Sequence, residues 1–154
     1  MTRRETGFVF EKLQPLPETL PEGLYLVLLK TGQIPPHLGL ISGNHWFTLT
    51  VKGATVAADA NRLLQSVVRK NMSAVIVQLA WPRGLHAQAM NKQLAEIFNR
   101  YEPLGNNEHT CLSPIRDLFV FIYGNEFKTC DFVFEMLQVA TDKNLLLTCY
   151  HNGH

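Results

Sequence analysis

Two alternating runs, residues 37–42 and 45–51, flank Gly43-Asn44, and this arrangement restricts the fold more than any other feature of the chain. Such a pair accommodates the positive φ of a two-residue primed turn, so the runs are expected to fold back as an antiparallel hairpin in one register. Counting outward pairs Ser42 with His45, Ile41 with Trp46, Leu40 with Phe47, Gly39 with Thr48, Leu38 with Leu49 and His37 with Thr50. Directly opposed residues share a face. Leu38, Leu40, Phe47, Leu49 and Val51 therefore form an apolar face that needs a covering layer of helices. The other face carries His37, Gly39, Ile41, Trp46, Thr48 and Thr50. A histidine, an open spot at Gly39, hydroxyls and one large aromatic read as the wall of a cleft. His45 falls on the apolar face or at the rim of the turn, and a slip of one residue would reverse that.

Around the hairpin the pattern mixes strands and helices. Residues 13–23 hold Pro15, Pro17 and Pro21 among polar neighbours, so residues 1–23 are expected to enter as an extended, proline-rich arm. Residues 24–29 and 74–80 read as buried strands, and residues 145–150 as a final one. Asp59 caps a short expected helix over 59–68. Leu94, Ile97, Phe98 and Tyr101 form one stripe over 85–101, the clearest amphipathic pattern in the chain. Residues 112–122 are apolar nearly all round and predict an enclosed helix, and residues 129–140 give the last one. The expected fold is a single α+β domain over 1–154, a small antiparallel sheet packed by helices.

At 154 residues the chain can bury a core without disulfide staples. A net charge of +1 with 18% charged residues gives no electrostatic footprint for nucleic acid or an anionic membrane. No stretch approaches the ~20 apolar residues of a membrane span. The first eight residues contain two arginines but no apolar run, so no secretory signal is expected. Cys111, Cys130 and Cys149 are an odd number without paired spacing, which suits a reducing compartment and makes the cytoplasm the expected location. Oligomeric state is left open.

Cys111 lies where a polar loop, residues 105–110, gives way to the apolar run 112–122. The opening turn of a helix presents unpaired N–H donors and a partial positive charge, which favour a thiolate and later an oxyanion. His37 is a candidate base for such a thiol, with the hydroxyl of Thr50 opposite it holding the imidazole in one tautomer. Trp46 and Gly39 would line the substrate groove. Local fit favours Ser113 as the helix cap with Pro114 in the first helical position, which leaves Cys111 just outside the helix. His109 and His86 read as surface residues, and His151 and His154 as part of a tail. Cys130 and Cys149, in an apolar helix and strand, read as core. A zinc site from His37, His45 and Cys111 lacks any Cys-x-x-Cys or His-x-x-x-His spacing, and no metal or other cofactor is expected.

Two stretches together resemble the permuted papain-like superfamily of NlpC-type peptidases and lecithin:retinol acyltransferase-like enzymes. His37-Leu38-Gly39-Leu40-Ile41 matches the His-x-Gly-(Ile/Leu) strand of that family, and Thr110-Cys111-Leu112-Ser113-Pro114-Ile115-Arg116-Asp117-Leu118 is similar to its late nucleophile motif. Thr110 stands where those relatives carry asparagine, and Pro114 where they carry an aromatic. The resemblance implies a circularly permuted papain-like fold and a cysteine-dependent hydrolase or acyltransferase. Its substrate would be a peptide or lipid-like amide or ester, attacked by Cys111 with His37 as its partner. The third catalytic position would fall to Thr50, or to His45 as in relatives with a second histidine. The alternative is a catalytically inactive binding module on the same scaffold.

Overall fold

The computed structural model describes residues 8–33, 35–105 and 109–153. The readings made for residues 1–7, for Asn106, Asn107 and Glu108 before Cys111, and for His154 lie outside the described residues. The chain runs β1 (Gln14–Pro15), β2 (Leu24–Leu29), β3 (His37–Ser42), β4 (His45–Thr50), β5 (Gly53–Asp59), α1 (Ala60–Arg69), β6 (Ala74–Leu79), α2 (Ala87–Asn99), α3 (Leu112–Tyr123), a 3₁₀ turn (Asn125–Phe127), α4 (Val133–Asp142) and β7 (Leu146–Asn152). One sheet contains every strand, in the order β1-β7-β6-β2-β3-β4-β5. All neighbours are antiparallel except β1 and β7, so the sheet is mixed.

β2 shows why the sheet must be covered twice: all six of its residues are buried. Leu24, Leu26 and Leu28 point to one side, where Met90, Leu94, Ile97 and Phe98 of α2, Ile115, Leu118 and Phe119 of α3, and Met136, Leu137 and Ala140 of α4 pack on them. Tyr25, Val27 and Leu29 point to the other, against Ala60, Leu64 and Val67 of α1. The period of two along a strand sorts the apolar residues between these cores. The result is three layers, with α2, α3 and α4 on one face and α1 on the other.

The hairpin has the expected turn, with Gly43 at φ 62°, and the expected register from Ser42–His45 to Gly39–Thr48. The β3–β4 pairing stops there. Val51 is not part of the apolar face. It lies in the turn after β4 and is 72% exposed. β5 has no counterpart in the sequence reading, because Gly53-Ala54-Thr55-Val56-Ala57-Ala58 neither alternates nor carries large side chains. It forms as an edge strand beside β4, with a register shift between Trp46 and Thr48 and Ala57 at φ 57°. Asp59 caps α1 as expected, its carboxylate accepting from Asn61 N at 2.9 Å. The proline-rich arm is partly a strand, since Gln14 and Pro15 pair with Tyr150 and His151. His151 accordingly belongs to β7 rather than to a tail. Phe121 is 56% exposed, so α3 is enclosed on its other faces only. Cys130 precedes α4 instead of lying in it. No helix among the described residues is long and apolar enough to cross a membrane.

Candidate functional site

The amino end of α3 is set two residues earlier than local preference predicts: the helix begins at Leu112, with Cys111 in the N-cap position. Cys111 already has helical backbone angles, φ −62° and ψ −16°. Thr110 supplies the capping bonds: its hydroxyl accepts from Leu112 N at 3.2 Å, while its own N–H donates to Ser113 Oγ at 3.0 Å. This is the reciprocal logic of a capping box, with serine in the place of the usual glutamate. Ser113 and Pro114 are thus inside the helix, not at its cap. Pro114 has no N–H to give Thr110 O, and Ser113 N supplies that carbonyl at 3.0 Å instead. The proline is therefore accommodated, and Cys111 stands just outside the helix as its N-cap residue, as expected, with the N–H groups of Leu112 and Ser113 taken by Thr110.

Cys111 is half-buried, whereas Cys130 and Cys149 are buried, and all three are free thiols. Burial pushes the Cys111 thiol up, and the backbone N–H groups of Leu38 and of Cys111 itself act against it by favouring the thiolate. Cys130 and Cys149 are also pushed up, chiefly by burial. Beside the Cys111 sulfur is a pocket of about 120 Å³, lined by Pro36, Leu38 and Leu112 on one side and by Phe132, Val133 and Phe134 on the other.

Leu38, which lines the pocket with Cys111, lies where the β3–β4 pairing ends. Beyond Gly39–Thr48 the ladder gives way to a side chain: Thr48, 4% exposed, donates its hydroxyl to Leu38 O at 2.7 Å. The same oxygen lies 2.9 Å from His37 Nε2. Since the single hydroxyl proton goes to Leu38 O, His37 must donate through Nε2, which leaves the ring's lone pair on Nδ1. Burial, and after it the charge of Lys30, holds His37 below the usual histidine value, so the ring is neutral at pH 7.

Leu38 thus sits between the two candidate groups, and they approach it from opposite faces. Cys111 packs on the three-helix side. His37 follows the alternation of Gly39 and Ile41, and its bond to Thr48 puts it on the α1 side with Trp46. No hydrogen bond joins Cys111 to His37 among the described residues. Thr50 is not the residue that orients His37. Its hydroxyl is engaged in the following turn, donating to Gly53 O at 3.2 Å and accepting from Lys52 N at 3.1 Å. Thr48 takes that place, one step diagonal to the pair obtained by direct counting.

The remaining candidates separate as well. Gly39 is not an open spot. A Cβ there would fall 2.5 Å from Trp46 Cζ3 and 2.8 Å from Phe47 O, so the indole fills the place a cleft was expected to occupy. Trp46 itself is 7% exposed and packs in the α1-side core. His45 pairs with Ser42 and bonds Asn44 Oδ1 at 3.0 Å. Ser42 lies four residues along β3 from Leu38, about 13 Å at strand rise, so His45 is remote from the sulfur. His109 stacks edge-on to Tyr101 and bonds Glu102 O at 2.9 Å. No group of three or more His, Cys, Asp or Glu able to hold a metal ion occurs among the described residues.

Sequence reasoning missed Thr48, Thr110 and Arg116. Thr48 was visible on the His37 face, but direct opposition selected Thr50. Arg116 Nη1 donates to Cys130 O at 2.7 Å and lies 3.6 Å from Asp131, tying α3 to the segment that leads into α4. Asp117 accepts from the Tyr101 hydroxyl. No protein-family model, curated protein or solved structure matches the chain.

Proposed function

We propose that the chain is a cysteine-dependent hydrolase or acyltransferase, acting on an amide or ester of a peptide or lipid-like substrate, on a circularly permuted papain-like scaffold. The observation that carries this reading is a half-buried thiol at the amino end of α3 that opens onto an apolar pocket shared with Leu38, where backbone N–H groups favour its thiolate form against the burial that raises it. Donors fixed in this way serve an anionic sulfur before attack and a carbonyl oxyanion after it, an effect worth about 3 kcal/mol per donor where it has been measured. Three unpaired thiols suit a reducing compartment such as the cytoplasm.

In this reading Sγ bonds to the carbonyl carbon while the thiol proton passes to Nδ1 of His37. Collapse of the tetrahedral adduct breaks the C–N or C–O bond, and the imidazolium returns its proton to the leaving group. Water or a second nucleophile then cleaves the thioester and restores the thiol. His37 must leave Thr48 and cross to the other face at the start of β3, which gives up that hydrogen bond and its pairing with Leu29, at a cost of about 2–3 kcal/mol.

Because the resting thiol is protonated and the resting imidazole neutral, the pair works by general-base transfer in the attack step. Acylation by p-nitrophenyl butanoate is therefore expected to rise with pH through a midpoint below the 6.5 of an ordinary histidine. Mass spectrometry should locate the acyl group on Cys111. His37→Ala should slow the reaction by about 100-fold. An unmodified Cys111, or a His37→Ala rate equal to that of the wild type, refutes the reading.

The binding-module alternative has its own support, since Thr48 holds His37 on the face away from Cys111 and burial raises the thiol. It becomes the better account on either refuting result.

A further inference from the structure

We propose that the pocket beside Cys111 is the subsite for the acyl group, taking a short, neutral, apolar chain, and that Arg116 is the positioning residue for its far wall. This inference rests on the thiol reading above and specifies its substrate class.

Size comes first. The pocket measures about 120 Å³, a little below the ~150 Å³ of an engineered apolar cavity that takes up benzene. It holds a chain or ring of about six carbons or fewer. Lining comes next. Leu38 and Leu112 flank the sulfur, and Phe132, Val133 and Phe134 close the opposite side. A carboxylate carried into this lining would lose its hydration and meet one hydroxyl, that of Thr110, and no cationic side chain among the described residues that line it. Asp131, at the rim, is 78% exposed and adds negative charge rather than a cation.

The far wall comes from the segment before α4 and its first turn, and it is fixed from two sides. Glu135 Oε1 accepts from Asp131 N at 2.8 Å and Phe132 N at 3.2 Å, which ties the wall to α4. Arg116 Nη1 holds Cys130 O at 2.7 Å and thereby ties it to α3. Arg116 is five residues beyond Cys111 on the helix that carries the nucleophile, so the separation between sulfur and wall is set through α3. This gives the Arg116-Asp117 pair of the motif a physical role: Arg116 spaces the pocket, and Asp117 anchors Tyr101.

The test is a series of p-nitrophenyl esters with acetyl, butanoyl, dodecanoyl and glutaryl chains, applied to the wild type and to Arg116→Met. In each reaction Sγ takes the acyl carbon, p-nitrophenolate leaves with the bonding pair, and water later releases the carboxylic acid. The wild type is expected to prefer butanoyl over dodecanoyl and over glutaryl by about tenfold or more. Arg116→Met should flatten the chain-length preference while acetyl transfer is retained. Rates independent of chain length overturn the subsite, with the thiol reading intact. A uniform fall at all lengths in Arg116→Met overturns the positioning role. A parallel measurement is independent of the chemistry: isobutyramide should shift the amide signals of Leu38 and Phe134 in the wild-type protein. If those signals move and Cys111 is never acylated, the pocket stands and the thiol reading falls. If neither occurs, both fall.

Discussion

Gly39→Ala distinguishes a packed face from a cleft. In an open strand, replacing glycine by alanine gains about 0.5–1 kcal/mol, because the unfolded chain loses freedom. Here the new methyl would sit 2.5 Å from Trp46 Cζ3 and 2.8 Å from Phe47 O, whereas carbon contacts settle near 3.5–4.0 Å. Phe47 O belongs to the backbone of a paired strand and cannot move far, so the indole must shift by about 1 Å or leave. Overpacking of this kind costs about 1–3 kcal/mol. Full ejection of a ring burying up to about 250 Å² would cost about 6 kcal/mol at 25 cal/mol per Å². A shallow groove beside Trp46, lined by Ala58, Arg62 and Leu63, allows partial displacement, so we expect a loss of about 3 kcal/mol. For a chain of this length that corresponds to a Tm lower by about 10 °C. Urea denaturation followed by far-UV circular dichroism measures it, with an unchanged m-value. In a Trp46→Leu background the same alanine should cost less than about 1 kcal/mol, because the clashing ring is gone. A Gly39→Ala protein as stable as the wild type would refute the argument and restore the cleft.

Thr48→Val should cost about 2 kcal/mol, since it strands the buried Leu38 carbonyl, whereas Thr50→Val, in a half-exposed turn, should cost less than about 1 kcal/mol. Equal losses in urea titrations would show that Thr48 does not hold this end of the sheet. If the imidazole must leave Thr48 to act, Thr48→Val should also speed Cys111 acylation by about fivefold, the factor that 1 kcal/mol represents. A tenfold slower ester reaction would show that the contact serves the chemistry instead. His37 is held below its unfolded value, so between the two values the unfolded state binds more protons. Its contribution to stability is complete above 6.5 and is lost as pH falls toward the folded value. Stability should therefore drop between pH 7.5 and 5.5 more steeply in the wild type than in His37→Gln. Parallel curves would remove the burial argument.

The legible parts of the fold are those that local patterns determine. The turn at Gly43-Asn44, its register, the Asp59 cap and the α2 stripe are written in neighbouring residues. β5 was hidden because an edge strand of small residues is held by its partner, with little help from its own side chains. The α1-side face looked like a cleft because its composition is mixed. The sequence does not show that a large ring from one strand will lie over a glycine on the next. The α3 start differs for a related reason: Ser113-Pro114 is a good local start, yet Thr110 and Ser113 satisfy each other when the helix begins two residues earlier, at Leu112.

The site depends on one residue that pairwise counting passes over. Thr48 takes Leu38 O with its side chain where the hairpin pairing ends, beside the pocket that Leu38 shares with Cys111. The same hydroxyl holds His37 on the far face. One threonine therefore closes this end of the hairpin and keeps the base away from the thiol. Bringing the imidazole to the sulfur costs the Thr48 bond and the pairing of His37 with Leu29, about 2–3 kcal/mol, against the 10²–10⁴-fold that general-base catalysis contributes, roughly 3–5 kcal/mol. On these magnitudes the resting position of His37 offsets much of what general-base catalysis contributes, so substrate seated beside Cys111 must supply binding energy of the same size to draw the imidazole across.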